Sequence, residues 1–168
     1  MQREQLQAVQ GPLKRRYQED PGAALVTLSA SGRLDGEGIA CSVATGRALV
    51  DAGLHPSTGG DGLLACSGDM LLQALVACAG VTLRAVATSL AIPVTGTVHA
   101  EGVLDMRGTL GVDRAAPVGF RTITLGFDLD SDASEESIAT LLRLTKRYCV
   151  VYQTLCGGVD VTVTANRV

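Results

Sequence analysis

Thiols are the groups in this chain best suited to do chemistry. Cysteines stand at positions 41, 66, 78, 149 and 156, and the two histidines are His55 and His99. A thiol reacts as its thiolate, so a reactive cysteine needs a cation or a helix N-terminus beside it. Cys78 sits among Ala74, Ala77 and Ala79 in the middle of a long apolar run. It reads either as a small buried hydrophobe or as one member of a redox pair. Cys149 follows the basic pair Lys146-Arg147 and carries the same two readings. Cys66 precedes the apolar run, where unpaired backbone N–H groups favour a thiolate. With His55 and Asp69 it forms a possible secondary polar cluster around a glycine-rich loop, set against the plainer reading of a loop thiol with no role.

Other chemistries find little support. No CxxC pair occurs, and no cysteine or histidine has the short ligand spacing of a zinc site, so neither a metal nor a cofactor is expected. Gly59-Gly60-Asp61-Gly62 is not followed by Lys-Ser/Thr and is no phosphate-binding loop; no GxSxG elbow is present. A hydrolase or transferase using Cys78 or Cys66 as a covalent nucleophile would need a base beside the thiol, and only His55 or His99 could supply it.

The element that positions Cys78 is the run Asp69 to Ala91, apolar on nearly every side and interrupted strongly only by Gln73 and Arg84. Ser67 is its expected N-cap, with Asp69 in the first turn where negative charge is favoured. Its 23 residues could span a bilayer. Arg84 lies well inside it, however, and no other segment could accompany it there, so no membrane partner is expected. The expected helix is buried all round, by sheet on one side and a second subunit on another.

Upstream, residues 1–22 read as a polar, partly helical lead-in, and 23–168 as a single domain. Strands are expected at Ala24–Ala30, Gly38–Val43 and Arg47–Val50, with Ser31–Gly36 as a turn and Asp51–Gly68 mostly loop. Downstream, alternation predicts an antiparallel pair, Val98 to Arg107 against Thr122 to Leu129. A helix capped by Ser134 runs to Tyr148, and Val159 to Ala165 alternates as a last strand. The order is that of an α+β domain.

Composition agrees. Hydrophobic residues are 46% of the 168 and charged residues 18%, few for covering a monomer's surface. Aromatics are 3%, and 14 Lys and Arg against 17 Asp and Glu leave a net charge of −3, so no nucleic-acid partner is expected. Unpaired thiols and the absence of a secretory pattern at the first residues point to the cytoplasm.

The run Asp69-Met70-Leu71-Leu72-Gln73-Ala74-Leu75-Val76-Ala77-Cys78, with Thr82-Leu83-Arg84-Ala85-Val86-Ala87, resembles the central-helix signature of the OsmC/Ohr family, the osmotically inducible and organic-hydroperoxide-resistance proteins. Arg147 to Leu155 resembles that family's second cysteine motif, and the resemblance covers most of residues 24 to 166. It implies an intertwined homodimer in which sheets from both subunits wrap long central helices. It also implies a peroxidatic thiol at Cys78, resolved by Cys149 as a disulfide, with an organic hydroperoxide as substrate and a dithiol such as a dihydrolipoyl protein as reductant. Arg33, in Ser31-Gly32-Arg33-Leu34-Asp35-Gly36, matches the family's arginine, with Arg84 as runner-up. Asp69 is the carboxylate nearest the family's glutamate position, which here is Gly68. Ala79 and Val150 stand where an aromatic and a proline are common, marking a divergent branch. A non-catalytic or small-molecule-binding member of the same fold is the alternative.

Overall fold

The computed structural model describes residues 2–5, 8, 11, 19, 32–33, 40–44, 49–111 and 113–166, with backbone alone for 32–33 and 40–44. Residues 3–5, 8, 11 and 19 are helical. The first expected strand, Ala24–Ala30, lies outside the described residues.

The described strands form two sheets, and the second of them packs on one long helix. The first sheet has the order β1 (Gly32–Arg33), β2 (Ala40–Ala44), β3 (Leu49–Gly53) and β4 (Ala65–Cys66). Its first three strands are antiparallel, whereas β4 runs parallel to β3. Gly32 and Arg33, expected in a turn, pair instead with Val43 and Ser42. The expected third strand lies two residues further along, because β3 pairs with β2 from Leu49↔Ala44 to Gly53↔Ala40. The rest of the glycine-rich stretch is a short 3-10 turn at Pro56–Thr58 and irregular chain leading into β4.

The central helix α1 spans Ser67–Leu90. Its N-cap is Cys66, not Ser67: the extended backbone ends one residue earlier because Cys66 pairs with Gly53 in β4. At the other end Ala91 adopts a left-handed backbone, φ 55°, and its N–H closes on the carbonyls of Ala87 and Thr88. Burial along α1 falls on one stripe, Leu75, Ala79, Leu83 and Ala87, spaced by four. Leu71, Val81 and Leu90 remain exposed, Val81 at 72%. The expectation of burial all round therefore holds for one side only within a single chain.

That stripe packs on the second sheet and on the last two helices. β5 (Thr95–Leu104) and β6 (Phe120–Asp130) are antiparallel from Thr95↔Asp130 to Leu104↔Phe120. β5 ends sooner than its alternation predicts, since Asp105 caps a single turn, α2 (Met106–Thr109), by accepting from the Arg107 N–H. Leu83, Ala87, Val94 and Leu141 form the core cluster, with Phe127 and Leu129 of β6 against it. The Phe120 ring packs on β5 at Gly102, where any Cβ would collide with it.

Ser134 caps α3 (Glu135–Tyr148) as expected, its hydroxyl accepting from the Ser137 N–H at 3.2 Å. Cys149 then breaks the helix, with φ −74° and ψ 109°, and a separate helix α4 (Val150–Gly157) begins. The expected last strand is absent: residues 158–166 have no regular structure, and Val159, Val161 and Val163 are exposed. A strand forms only against a partner for its N–H and C=O groups, and the described part of this chain offers none there.

Candidate active site

Cys78 lies near the middle of α1, and α3 and α4 both pack against that helix. The break at Cys149 aims the start of α4 at the Cys78 side chain. Cys149 closes α3 by donating its N–H to the Thr145 carbonyl at 2.9 Å, and its own carbonyl accepts from Gln153 at 2.9 Å in the first turn of α4. Gln153 also reaches back, its Nε2 donating to the Lys146 carbonyl at 2.7 Å. One residue thus serves as C-cap and N-cap, which fixes its side chain in the corner between two helices. Cys149 is 1% exposed there, and Cys78 is half-buried.

The two thiols meet. Burial pushes the Cys78 thiol up, but the Val151 and Val150 backbone N–H groups, the Cys149 thiol and the Thr82 hydroxyl outweigh it. The net effect holds Cys78 below the ordinary thiol value. The unpaired N–H groups of a helix N-terminus are the physical reason, since they donate to an anion without needing a counter-charge. Cys149 moves the other way: burial raises it, and the neighbouring Cys78 raises it further, although the Tyr152 and Val151 N–H groups pull it down. The two shifts run in opposite directions, so Cys78 on α1 is the more acidic thiol and Cys149 at the head of α4 the less acidic one. A thiol of lowered pKa is the better nucleophile of such a pair near neutral pH.

Thr82 and the two valine N–H groups had not been singled out in the sequence. Thr82 was in principle legible, being four residues beyond Cys78 and so on the same helix face. The valine N–H groups were not, because the helix is expected to end at Tyr148 and nothing after Cys149 marks the start of a new one.

No other candidate whose side chain is described is among the groups bonded to Cys78 or Cys149. Asp69 is exposed in the first turn of α1, nine residues before Cys78, which is about 13 Å along the axis and half a turn round. Arg84, six residues beyond Cys78, donates to the Val94 carbonyl at 3.1 Å at the start of β5. The backbone of Arg33 lies in β1, and its side chain is outside the described residues. His55 caps the Pro56–Thr58 turn, its Nδ1 accepting from the Ser57 N–H at 3.1 Å and its carbonyl accepting from the Thr58 hydroxyl at 2.9 Å. Cys66 makes no capping bond to α1. A Cβ on Gly68 would sit 3.5 Å from both the Cys66 Sγ and the Phe120 ring, so the site of the family glutamate has an aromatic wall. His99 is on β5, 3.3 Å from Asp128 of β6. No group of three or more His, Cys, Asp or Glu that could hold a metal ion occurs among the described residues.

A family model for OsmC-like proteins matches residues 60–164. The chain belongs to the OsmC-like family. No curated protein sequence matches the chain. The fold is similar to that of an OsmC-like protein from Mycoplasma pneumoniae, with TM-score 0.65 and 19% identity over 79% of this chain and 89% of the other. It is also similar to the organic hydroperoxide resistance protein OsmC of Legionella pneumophila, with TM-score 0.58 and 19% identity over 81% and 93%. The organic hydroperoxide resistance protein OhrB of Bacillus subtilis matches with TM-score 0.53 and 19% identity over 80% and 94%. At these identities the shared property is the OsmC fold, in a divergent member.

Proposed function

We propose that this OsmC-like protein is a thiol-dependent reductase of organic hydroperoxides, with Cys78 as the peroxidatic and Cys149 as the resolving residue. The observation that carries the reading is the contact of the Cys78 thiol with Cys149 and with the N–H groups at the head of α4. In the first step the Cys78 thiolate attacks the outer peroxide oxygen, and the O–O bond breaks. Cys78 becomes a sulfenic acid, and the alkoxide takes a proton to leave as the alcohol. In the second step the Cys149 sulfur attacks the Cys78 sulfur and loses its proton. The S–O bond breaks, water leaves, and the disulfide forms. An external dithiol, such as a dihydrolipoyl protein, returns both residues to thiols by exchange. Arg33, by its family position, is assigned to the peroxide oxygens.

Assembly belongs to the same proposal. The exposed side of α1, with α3, bounds an apolar groove of about 590 Å3 lined by Val81, Ala85, Leu90, Leu144 and Tyr148. Thr82 also lines it, so the groove reaches the residue that touches Cys78. A second copy of the chain laid on this face would bury the exposed apolar side chains and close the groove over the thiol. The protein is then a cytoplasmic homodimer, and the chamber receives the organic part of the hydroperoxide.

Peptide mapping after one equivalent of an organic hydroperoxide tests the chemistry. The expected product is a Cys78–Cys149 disulfide with loss of both thiols. Recovery of Cys78 as a free thiol in folded protein would return it to the role of a small core residue.

A further inference from the structure

Arg84 is the one cation embedded in the apolar run of α1, and the thiol chemistry does not use it. It lies about 9 Å along the helix from Cys78 and two-thirds of a turn round. It borders a cleft of about 460 Å3 at the C-terminal end of α1, together with Gln2, Arg3, Thr88 and Thr95. A second hollow, about 200 Å3, adjoins this cleft through Arg84, Val94 and Thr95, and its walls include Leu83, Phe127 and Leu129. Arg3 and Arg84 thus both border a cleft that adjoins an apolar hollow, and no carboxylate among the described residues lines either space.

The other arginines near the hairpin are differently placed. Arg107 lies 2.6 Å from Asp105 and 3.4 Å from Asp113. Arg121 lies 3.9 Å from Asp105. Among the described residues Arg3 and Arg84 pair with no carboxylate, and the one hydrogen bond of the Arg84 guanidinium is to the Val94 carbonyl. The chain has 17 acidic against 14 basic side chains, so this is no shortage of partners. Like charges that share a cleft repel, and an anion between them removes the repulsion. A guanidinium presents two parallel N–H donors that match a carboxylate.

We propose that this cleft binds a small amphipathic carboxylate, its head between Arg3 and Arg84 and its hydrocarbon part in the hollow between α1 and the β5–β6 hairpin. The site is separate from the thiol pair, and the inference stands whether or not Cys78 reduces peroxides.

Isothermal titration of the reduced full-length protein with octanoate, octanol and inorganic phosphate tests it. Octanoate should bind saturably, one per chain, and more weakly as salt is added. Octanol, lacking the charge, and phosphate, lacking the hydrocarbon, should each bind about tenfold more weakly or worse. Arg84→Gln should weaken octanoate about tenfold and Arg3→Gln several-fold, while Arg84→Lys, which keeps the charge but loses the fork, should fall between wild type and Arg84→Gln. Arg3 is exposed, so its variant tests the site without disturbing the core. Cys78→Ser should bind as the wild type does. No saturable octanoate binding, or equal binding by Arg3→Gln, Arg84→Gln and wild type, would overturn the site. Phosphate binding as tightly as octanoate would overturn the role of the apolar hollow.

Discussion

Two cysteines head helices in this protein, and they have different surroundings. Cys66 caps α1, a helix of 24 residues, and Cys149 caps α4, a helix of only 8. Neither makes a side-chain capping bond. By length alone the stronger helix terminus belongs to Cys66, yet that thiol borders Gly68 close to the Phe120 ring. Cys149 faces a second thiol across a helix break, and the N–H groups of its helix reach that thiol. A helix N-terminus becomes chemically useful when another element places a nucleophile in front of it. Here α1 supplies the nucleophile and α4 the donors.

The largest expected effects come from removing either member of the pair. Cys78→Ser should abolish peroxide consumption. Cys149→Ser should react once and then stall as a sulfenic acid or over-oxidise, which mass spectrometry of the Cys78 peptide would show as added oxygen. Full turnover by Cys149→Ser would mean that a different thiol resolves Cys78.

A smaller effect is expected at Val150. Its N–H donates to Cys78, and a proline there has none to give. The backbone can accept the change, because Cys149 is already extended, as a residue before proline must be, and proline suits the first helical position. Val150→Pro should therefore keep the fold, raise the Cys78 pKa and slow the first step about tenfold or more, the worth of one hydrogen bond to a charged group. Stopped-flow rates against hydroperoxide would check this. An unchanged rate would show that the Val151 N–H suffices alone.

Thr82→Val should do less in the same direction, by removing the last of the donors to Cys78. In the wild type the first-step rate should rise with pH through a midpoint below the ordinary thiol value of about 8.5. The sign follows from the chemistry: the thiolate is the reactive form, and each donor removed moves the midpoint upward. A midpoint at or above the ordinary value in the wild type would contradict the geometry of α4.

The smallest kinetic effect belongs to Cys66→Ser, which should leave peroxide turnover essentially intact. Serine is a better N-cap than cysteine because its hydroxyl accepts from the first-turn N–H groups. The variant should therefore gain stability, up to about 1 kcal/mol by denaturant unfolding. A loss of turnover as large as that of Cys78→Ser would erase the contrast between the two helix ends.

Much of this protein was determined by local sequence. The apolar run around Cys78 had to be a helix, because its length allows little else and the lone glycine inside it, Gly80, is tolerated in a helix this long. The alternation in β5 and β6 set both strands and the face each presents to α1, since the side-chain period of a strand is two. Ser134 marked the start of α3 because its hydroxyl can accept from its own backbone three residues on, a purely local act.

Tertiary structure decided what required a distant partner. α3 ends at Tyr148 as its basic last turn signals, but the separate helix α4 that Cys149 caps is not legible in the sequence and is held where α3 and α4 both pack on α1. Cys66 displaced Ser67 as the cap because β4 pairs with β3, a contact with residues more than ten positions away. Val159 to Ala165 has the pattern of a strand but no described strand to pair with, so the pattern alone could not make one. The meeting of Cys78 and Cys149 is of the same kind. Seventy-one residues separate them in the sequence, and only the packing of α4 on α1 turns two ordinary thiols into a pair with opposite shifts.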